Sequence, residues 1–64
     1  MVKINGEDVN ANGKKLTDYL KDAGYDNRFI AGEINEEIIS KSQYAETVLK
    51  DGDVVEVVNF VGGG

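Results

Sequence analysis

The first apolar residues of the chain alternate with polar ones and then meet a turn signal. Val2 and Ile4 are separated by a lysine, and Asn5-Gly6 follows directly. This pair is the strongest short signal for a hairpin, because both central positions of the turn need a positive φ. The alternation continues over 7–11, so two short antiparallel strands are predicted.

From Lys14 the apolar spacing changes from two residues to about 3.6, which predicts a helix with one apolar face. The residues on that face are Leu16, Tyr19, Leu20 and Ala23. Gly24 is placed to end the helix through a left-handed residue.

The next part of the chain predicts two further short apolar segments. The run 29–34 is typical of a strand, and Gly32 within it indicates a bulge or a close approach of another group. Ile38 and Ile39 form the second segment. The polar stretch 40–47 predicts a short helical turn, and the segment 50–53 with its central glycine predicts a tight turn.

The last strand is predicted over 54–61, where only Glu56 and Asn59 interrupt apolar residues. A run that is apolar on both faces is typical of a central strand, with Val55 or Val57 in the core. Parallel pairing with the first strand would close that core. The fold class is therefore α+β, a mixed sheet with one main helix packed on one face.

Composition limits what such a chain can do. It has 64 residues, which is one small domain, and no cysteine or histidine. The absence of histidine removes the usual general base and the commonest nitrogen ligand for metals, so an independent enzyme and a metal site are not expected. The three tyrosines, Tyr19, Tyr25 and Tyr44, are expected at the core edge with their hydroxyls in water.

Charge limits the choice of partners. The formal net charge is −5, which repels nucleic acids and anionic membranes and suits a basic protein surface. No apolar stretch approaches the roughly 20 residues that cross a bilayer, and no signal-type segment is present. The chain is expected to be a cytoplasmic protein that is monomeric when free.

The sequence closes on Gly62, Gly63 and Gly64, directly after the apolar strand. Glycine lets a backbone approach another surface closely, and the span from Val61 to Gly64 could reach roughly 13 Å when extended. A frayed end is the plain alternative. The predicted organisation is a domain over 1–61 and a flexible glycine tail over 62–64.

The order of these elements, with the turn at 50–53, the valine-rich last strand and the glycine tail, resembles the β-grasp or ubiquitin-like fold. Within that fold the chain is most similar to the ThiS family of sulfur carriers. The segments that carry the resemblance are Asn5-Gly6-Glu7, Asn35 to Ile39, Ser42 to Thr47, and Leu49 to Gly64.

The resemblance implies a carrier and not a catalyst. The carboxylate of Gly64 would be adenylated by a ThiF-like activating enzyme, which uses ATP and magnesium, and converted to a thiocarboxylate. Gly62 and Gly63 would thread into the activating enzyme. The sulfur would then pass to a ThiG-like thiazole synthase for thiamine biosynthesis, with no cofactor bound by the carrier itself.

The chain departs from the family pattern in three loop-like places. Members often have Asn-Gly-Glu where this chain has Asn35-Glu36-Glu37, Pro-Arg where it has Ser40-Lys41, and Trp where it has Tyr44. These departures affect details of partner contact more than the fold.

Other residues invite a functional label. Val58 and Phe60 are candidates for docking a partner, because apolar side chains on the last strand can serve as core or as an exposed patch. The acidic residues Glu33, Glu36 and Glu37 are interpreted as a solvated loop. Asp51 and Asp53 around a glycine resemble a fragment of a calcium loop, but the other ligand positions are missing, so a structural turn is predicted.

Three other functions share this fold. They are a MoaD-like sulfur carrier for molybdopterin synthesis, a ubiquitin-like protein modifier, and a non-covalent β-grasp interaction module. The sequence does not discriminate the sulfur pathways, because fold and tail are common to both and the partners decide the function.

Overall fold

The computed structural model describes residues 1–26, 28 and 30–60. Among the described residues the α-helix α1 covers Leu16–Asp22, and a turn of 3₁₀ helix covers Lys41–Gln43. The five strands are β1 (Val2–Ile4), β2 (Glu7–Val9), β3 (Ile30–Ile34), β4 (Glu37–Ile39) and β5 (Val54–Asn59). This is the predicted α+β architecture with one main helix.

The strands form one mixed sheet in the order β2-β1-β5-β3-β4. β5 is central, parallel to β1 and antiparallel to β3, which confirms both predictions about the last strand. Val55 and Val57 of β5 are buried, whereas Val54 and Val58 are exposed, so the apolar run lies half in the core and half on an open sheet face. Among the described residues the core consists of Val2, Ile4, Ala11, Leu16, Leu20, Ile30, Tyr44, Leu49, Val55 and Val57.

The helix packs through fewer residues than its periodicity predicts. Leu16 and Leu20 are buried and Tyr19 is half-buried, but Ala23 is exposed because α1 already ends at Asp22. Its first amides lack a side-chain cap. Backbone carbonyls act as acceptors in place of a capping side chain. Leu16 N–H donates to the Thr47 carbonyl (2.8 Å) and Thr17 N–H donates to the Tyr44 carbonyl (3.2 Å).

The predicted ends of β2 and β5 and the predicted bulge at Gly32 need adjustment. β5 ends at Asn59, so Phe60 is not part of the strand predicted over 54–61. β2 stops at Val9 and not at Ala11, although Ala11 is still buried. Gly32 pairs in unbroken register with both β4 and β5, so the bulge is wrong and the close approach is right. Phe29 and Val61, predicted at the ends of two strands, lie outside the described residues.

The prediction for Tyr44 is wrong, and the error is informative. Tyr44 is only 2% exposed, and its hydroxyl accepts a 2.9 Å hydrogen bond from the Gly32 N–H. A Cβ at Gly32 would lie 3.3 Å from that oxygen, so the glycine makes room for the ring. Tyr19 and Tyr25 are half-buried against the core, as expected for core-edge aromatics.

The hairpin between β3 and β4 contains one backbone conformation that its sequence does not favour. Asn35 and Glu36 both have a positive φ, +51° and +69°. Asparagine tolerates this region, but for other L-residues it costs roughly 1–2 kcal/mol. The departure at Asn35-Glu36-Glu37 therefore places a glutamate where a glycine fits better.

We expect Glu36→Gly to stabilise the protein by about 0.5–1 kcal/mol, because relief of the strained φ outweighs the added freedom of the unfolded chain. Urea denaturation should show a higher midpoint and an unchanged slope. Glu37→Gly is the matched control: it removes the same charged side chain from a β4 residue without positive φ, and should lower stability. Equal shifts in both variants would mean that charge, not backbone, is responsible.

Candidate functional site

The central strand determines where the chain leaves the sheet. β5 is paired with β3 along its length, up to Ile30 opposite Asn59, and with β1 at its beginning. Phe60 follows directly and is the last residue that the structure describes before 61–64. The predicted threading residues Gly62 and Gly63 and the predicted modified residue Gly64 lie outside the described residues, so their roles and the boundary at 61 stay predictions.

An apolar patch lies beside this exit. Val58 and Phe60 are each 53% exposed, and Ala31 is the cross-strand neighbour of Val58. Neighbours directly opposite each other in an antiparallel pair share one face of the sheet. Val58, Phe60 and Ala31 are called the exit patch below. The sequence left open whether Val58 and Phe60 belong to the core or to an exposed patch, and the structure places both outside the core. Their contact with a partner stays a prediction.

Two carboxylates border the exit patch. Glu33 on β3 lies opposite Glu56 on β5. This pair is two residues along each strand from the Ala31–Val58 pair, and therefore on the same face of the sheet. Like charges in this arrangement destabilise a sheet. The ion pairs found within the described residues do not include either side chain. With Glu36 and the neighbouring Val54 and Asn35 they line an open concavity of about 340 Å³.

The other two acidic candidates, Asp51 and Asp53, form hydrogen bonds that stabilise the turn around them. Asp51 binds the amino group of Met1, and this hydrogen bond lowers the pKa of the Asp51 carboxyl below its usual range. Asp53 accepts hydrogen bonds from Lys50 N–H (2.9 Å) and from the side-chain amide of Asn35 (3.1 Å). The interpretation of 50–53 as a structural turn is confirmed, and Gly52 has the expected positive φ of +88°.

Within residues 1–26, 28 and 30–60, no group of three or more acidic residues could hold a metal ion. The interpretation of Glu33, Glu36 and Glu37 as a solvated loop is correct only for Glu36. Glu33 is a half-buried residue of β3 and Glu37 is an exposed residue of β4, so the two strands and not a loop position them. The same part of the chain contains no helix long and apolar enough to cross a membrane.

Sequence reasoning missed two asparagine side chains that hold β5. Asn5 Oδ1 accepts from Val57 N–H (2.8 Å), and Asn35 Oδ1 accepts from Val54 N–H (2.9 Å). Both residues have a positive φ, +50° for Asn5. The turn signal at Asn5-Gly6 was available in the sequence, but the partner of the side chain depends on the β1–β5 pairing, which is a long-range contact.

The architecture and the exit patch together define a class: a β-grasp domain with an exposed apolar patch at the end of its central strand. The sequence model of the ThiS family matches residues 1–64. The chain therefore belongs to the ThiS family.

Individual relatives agree with this assignment. The chain is 46% identical to the sulfur carrier protein ThiS of Bacillus subtilis and 39% identical to that of Thermus thermophilus, and it covers the whole length of both. It is also 44% identical, over 95% of its length, to part of the thiazole synthase of Paramagnetospirillum magneticum. The chain spans only 19% of that enzyme.

A solved structure supports the fold. The crystal structure of the thiamine biosynthesis protein ThiS from Geobacter metallireducens superposes with a TM-score of 0.77 at 30% identity. The alignment covers 98% of this chain and 97% of that one. The β-grasp fold class is thereby confirmed.

Proposed function

We propose that the chain is a sulfur carrier for thiazole formation in thiamine biosynthesis, with Gly64 as the residue that carries the sulfur. The observation that supports this most strongly is the match to two proteins named as sulfur carriers over their whole length. The fold adds a physical reason, because β5, the central strand of the sheet, ends at Asn59 and the glycines follow it closely in the sequence. In this role the chain is a substrate of its partners and not an enzyme.

The chemistry needs little from the carrier beyond a reachable carboxylate. A carboxylate is a poor acyl donor, because oxide is a poor leaving group. The terminal carboxyl, with an ordinary pKa of about 3.5, is ionised at neutral pH and can attack the α-phosphorus of ATP, releasing pyrophosphate. A sulfur nucleophile then displaces AMP from the acyl adenylate and leaves a thiocarboxylate.

ATP and magnesium belong to the activating enzyme in this scheme. That partner is proposed to be ThiF-like, and the sulfur acceptor is proposed to be a ThiG-like thiazole synthase. Support for the second partner comes from the thiazole synthase of P. magneticum, which contains a segment similar to nearly all of this chain. We also place the reaction in the cytoplasm, where ATP is available.

Intact-mass spectrometry tests the proposal. The protein is incubated with ATP, magnesium, a ThiF-like enzyme and a sulfur donor. Replacement of one oxygen by sulfur should appear as a single mass increase located on Gly64. A thiocarboxylate that a molybdopterin synthase subunit consumes, and a thiazole synthase does not, would instead indicate the MoaD-like function. Conjugates to lysine would indicate a protein modifier.

The exit patch is proposed to dock the activating enzyme. Val58 and Phe60 expose apolar surface immediately before the tail, and the Glu33–Glu56 pair beside them favours a basic partner surface. A cation of the partner placed between the carboxylates of Glu33 and Glu56 would also relieve their mutual repulsion.

Phe60→Ser is therefore expected to raise the KM of the carrier for its activating enzyme about tenfold, because half of a phenylalanine side chain no longer contributes apolar burial. Val58→Ser should have a smaller effect of the same kind. Both residues are half-exposed, so stability should change by no more than about 0.5 kcal/mol. Steady-state pyrophosphate release measures the KM.

Val48→Ser is the matched control for the exit patch. Val48 is 42% exposed but lies in the segment that pairs with Lys15 at the start of the helix. Its KM should equal that of the unmodified protein. If Val48→Ser raises KM as much as Phe60→Ser, the exit patch is not the docking surface.

A further inference from the structure

We propose that Asn5 is a positioning residue for the carrier reaction: its side chain holds the second half of β5, and so the exit patch, in the orientation that the activating enzyme binds. This inference rests on the proposed function. Asn5 itself belongs to the hairpin between β1 and β2 and carries no reacting atom.

The pairing between β1 and β5 is short. β1 pairs with β5 at two positions, Lys3 opposite Val54 and Ile4 opposite Val55, and the backbone N–H of Asn5 donates to Val55 C=O at 2.9 Å. The chain then turns back at Asn5-Gly6 into β2. A parallel strand that continued straight would have paired with Val57 next.

The carboxamide of Asn5 takes the place of the next pairing position of β1. Its Oδ1 accepts from Val57 N–H at 2.8 Å, and its Nδ2 donates to Val57 C=O at 3.4 Å. A side-chain amide has the same donor and acceptor as a backbone peptide, so it extends the pairing by one position. The contact joins residues 52 positions apart in sequence.

Two demands meet at this position, and asparagine satisfies both. The turn requires a positive φ, which glycine, asparagine and aspartate accept. The two hydrogen bonds from the Asn5 side chain to the Val57 backbone, called the clamp below, require a donor and an acceptor on a short side chain. Glycine would meet the first demand only, and aspartate would keep the acceptor but lose the donor.

The clamp holds the part of β5 next to the exit patch, which must keep a fixed orientation if it docks the activating enzyme. On its other side β5 is paired with β3 as far as Asn59. Val58 follows the clamped residue directly, and Phe60 comes two positions later. If the strand loosens here, binding must first order the exit patch, and the cost appears as weaker docking.

Asn35 provides an internal comparison. It also has a positive φ, +51°, and its Oδ1 also accepts from a β5 amide, Val54 N–H at 2.9 Å. Val54 is the first residue of β5, whereas Val57 lies in the half that leads to the tail. The variants Asn5→Gly and Asn35→Gly thus remove similar contacts from opposite ends of one strand, and both keep the turn.

The test measures pyrophosphate release by a ThiF-like enzyme for the unmodified protein and both variants, well below their melting temperatures. Loss of the two Val57 hydrogen bonds should raise KM about fivefold to tenfold in Asn5→Gly with kcat unchanged, and Asn35→Gly should stay within about twofold. Asn5→Asp should fall between them. Amide hydrogen exchange at Val57 and Val58 should accelerate in Asn5→Gly only.

Each outcome decides the matter. An unchanged KM in folded Asn5→Gly, or an equal rise in both glycine variants, overturns the positioning role and leaves only a contribution to stability. If Asn5→Gly does not fold, Asn5→Asp gives the same comparison. If the unmodified protein releases no pyrophosphate, the proposed function fails. In that case unaltered exchange at Val58 in Asn5→Gly overturns the clamp, and faster exchange supports it independently.

Discussion

Deletion of Gly64 is expected to reduce thiocarboxylate formation at least about 100-fold, because even a 1 Å misplacement of a reacting group can cost that much. The shortened chain would still end on a glycine, Gly63, so the loss is one of reach and not of residue type. An extended residue spans about 3.3 Å. Intact-mass spectrometry after incubation with ATP, activating enzyme and sulfur donor measures the product.

Two matched variants separate reach from shape. Gly64→Ala keeps the length but adds a Cβ beside the reacting carbonyl, and an extra glycine after Gly64 changes the reach in the other direction. The deletion should leave the melting temperature unchanged, because the core residues in the part of the chain that the structure describes all precede residue 58. Full activity of the deleted protein would show that Gly64 is not the modified residue.

The same deletion discriminates classes of function. A carrier and a protein modifier both need the terminal carboxylate, so both should lose activity. A non-covalent interaction module should keep its partner when the tail is shortened. The exit patch variants give the complementary result, since all three classes could use Val58 and Phe60 for docking.

The sheet could be predicted from sequence because local signals agree with its topology. The Asn5-Gly6 pair marks the hairpin, and the valine-rich run 54–61 marks a central strand. Both signals act over a few residues, which is the range that apolar periodicity reports. The parallel pairing of β1 and β5 then follows from the burial that such a run requires.

What sequence reasoning missed are side chains whose partners are distant. Asn5 holds Val57, and Tyr44 binds the Gly32 N–H, a residue twelve positions away on another element. Ala23 fits the helical period but is exposed, because the helix ends one residue earlier. In each case the local pattern is satisfied by several arrangements, and packing selects one of them.

Val58 and Phe60 could be named from the sequence as docking candidates because they lie on one predicted strand, although their exposure was left open there and is shown only by the structure. The acidic pair Glu33–Glu56 could not be found this way. It depends on the register between β3 and β5, and a shift of one residue would move these side chains to the opposite face. The part of the site that lies on one strand is therefore readable from sequence, and the part that spans two strands is not.

Tyr44 supports the whole arrangement, and its removal should have the largest effect on stability. The ring is buried between the sheet and the start of the helix, where it lies against Gly32. Its backbone carbonyl also accepts from Thr17 N–H at the first turn of α1. One residue thus joins the 3₁₀ segment, β3 and the helix.

We expect Tyr44→Ala to lower the free energy of unfolding by about 3–5 kcal/mol, as for other large aromatic truncations. A domain of this size has a total stability of roughly the same magnitude, so the variant should be largely unfolded at room temperature. Far-ultraviolet circular dichroism with urea denaturation measures both. Tyr44→Phe keeps the ring and should lose only about 1–3 kcal/mol, because the Gly32 N–H is left without its acceptor.

The difference in stability between Tyr44→Ala and Tyr44→Phe separates the contribution of the ring from that of the hydroxyl. If Tyr44→Phe is as stable as the unmodified protein, the hydroxyl does not hold β3 and the ring acts by packing alone. Gly32→Ala provides an independent check, since its Cβ would lie 3.3 Å from the hydroxyl oxygen, a tight contact that forces this oxygen to shift slightly. That substitution should destabilise the unmodified protein more than it destabilises Tyr44→Phe, because the clash disappears together with the oxygen.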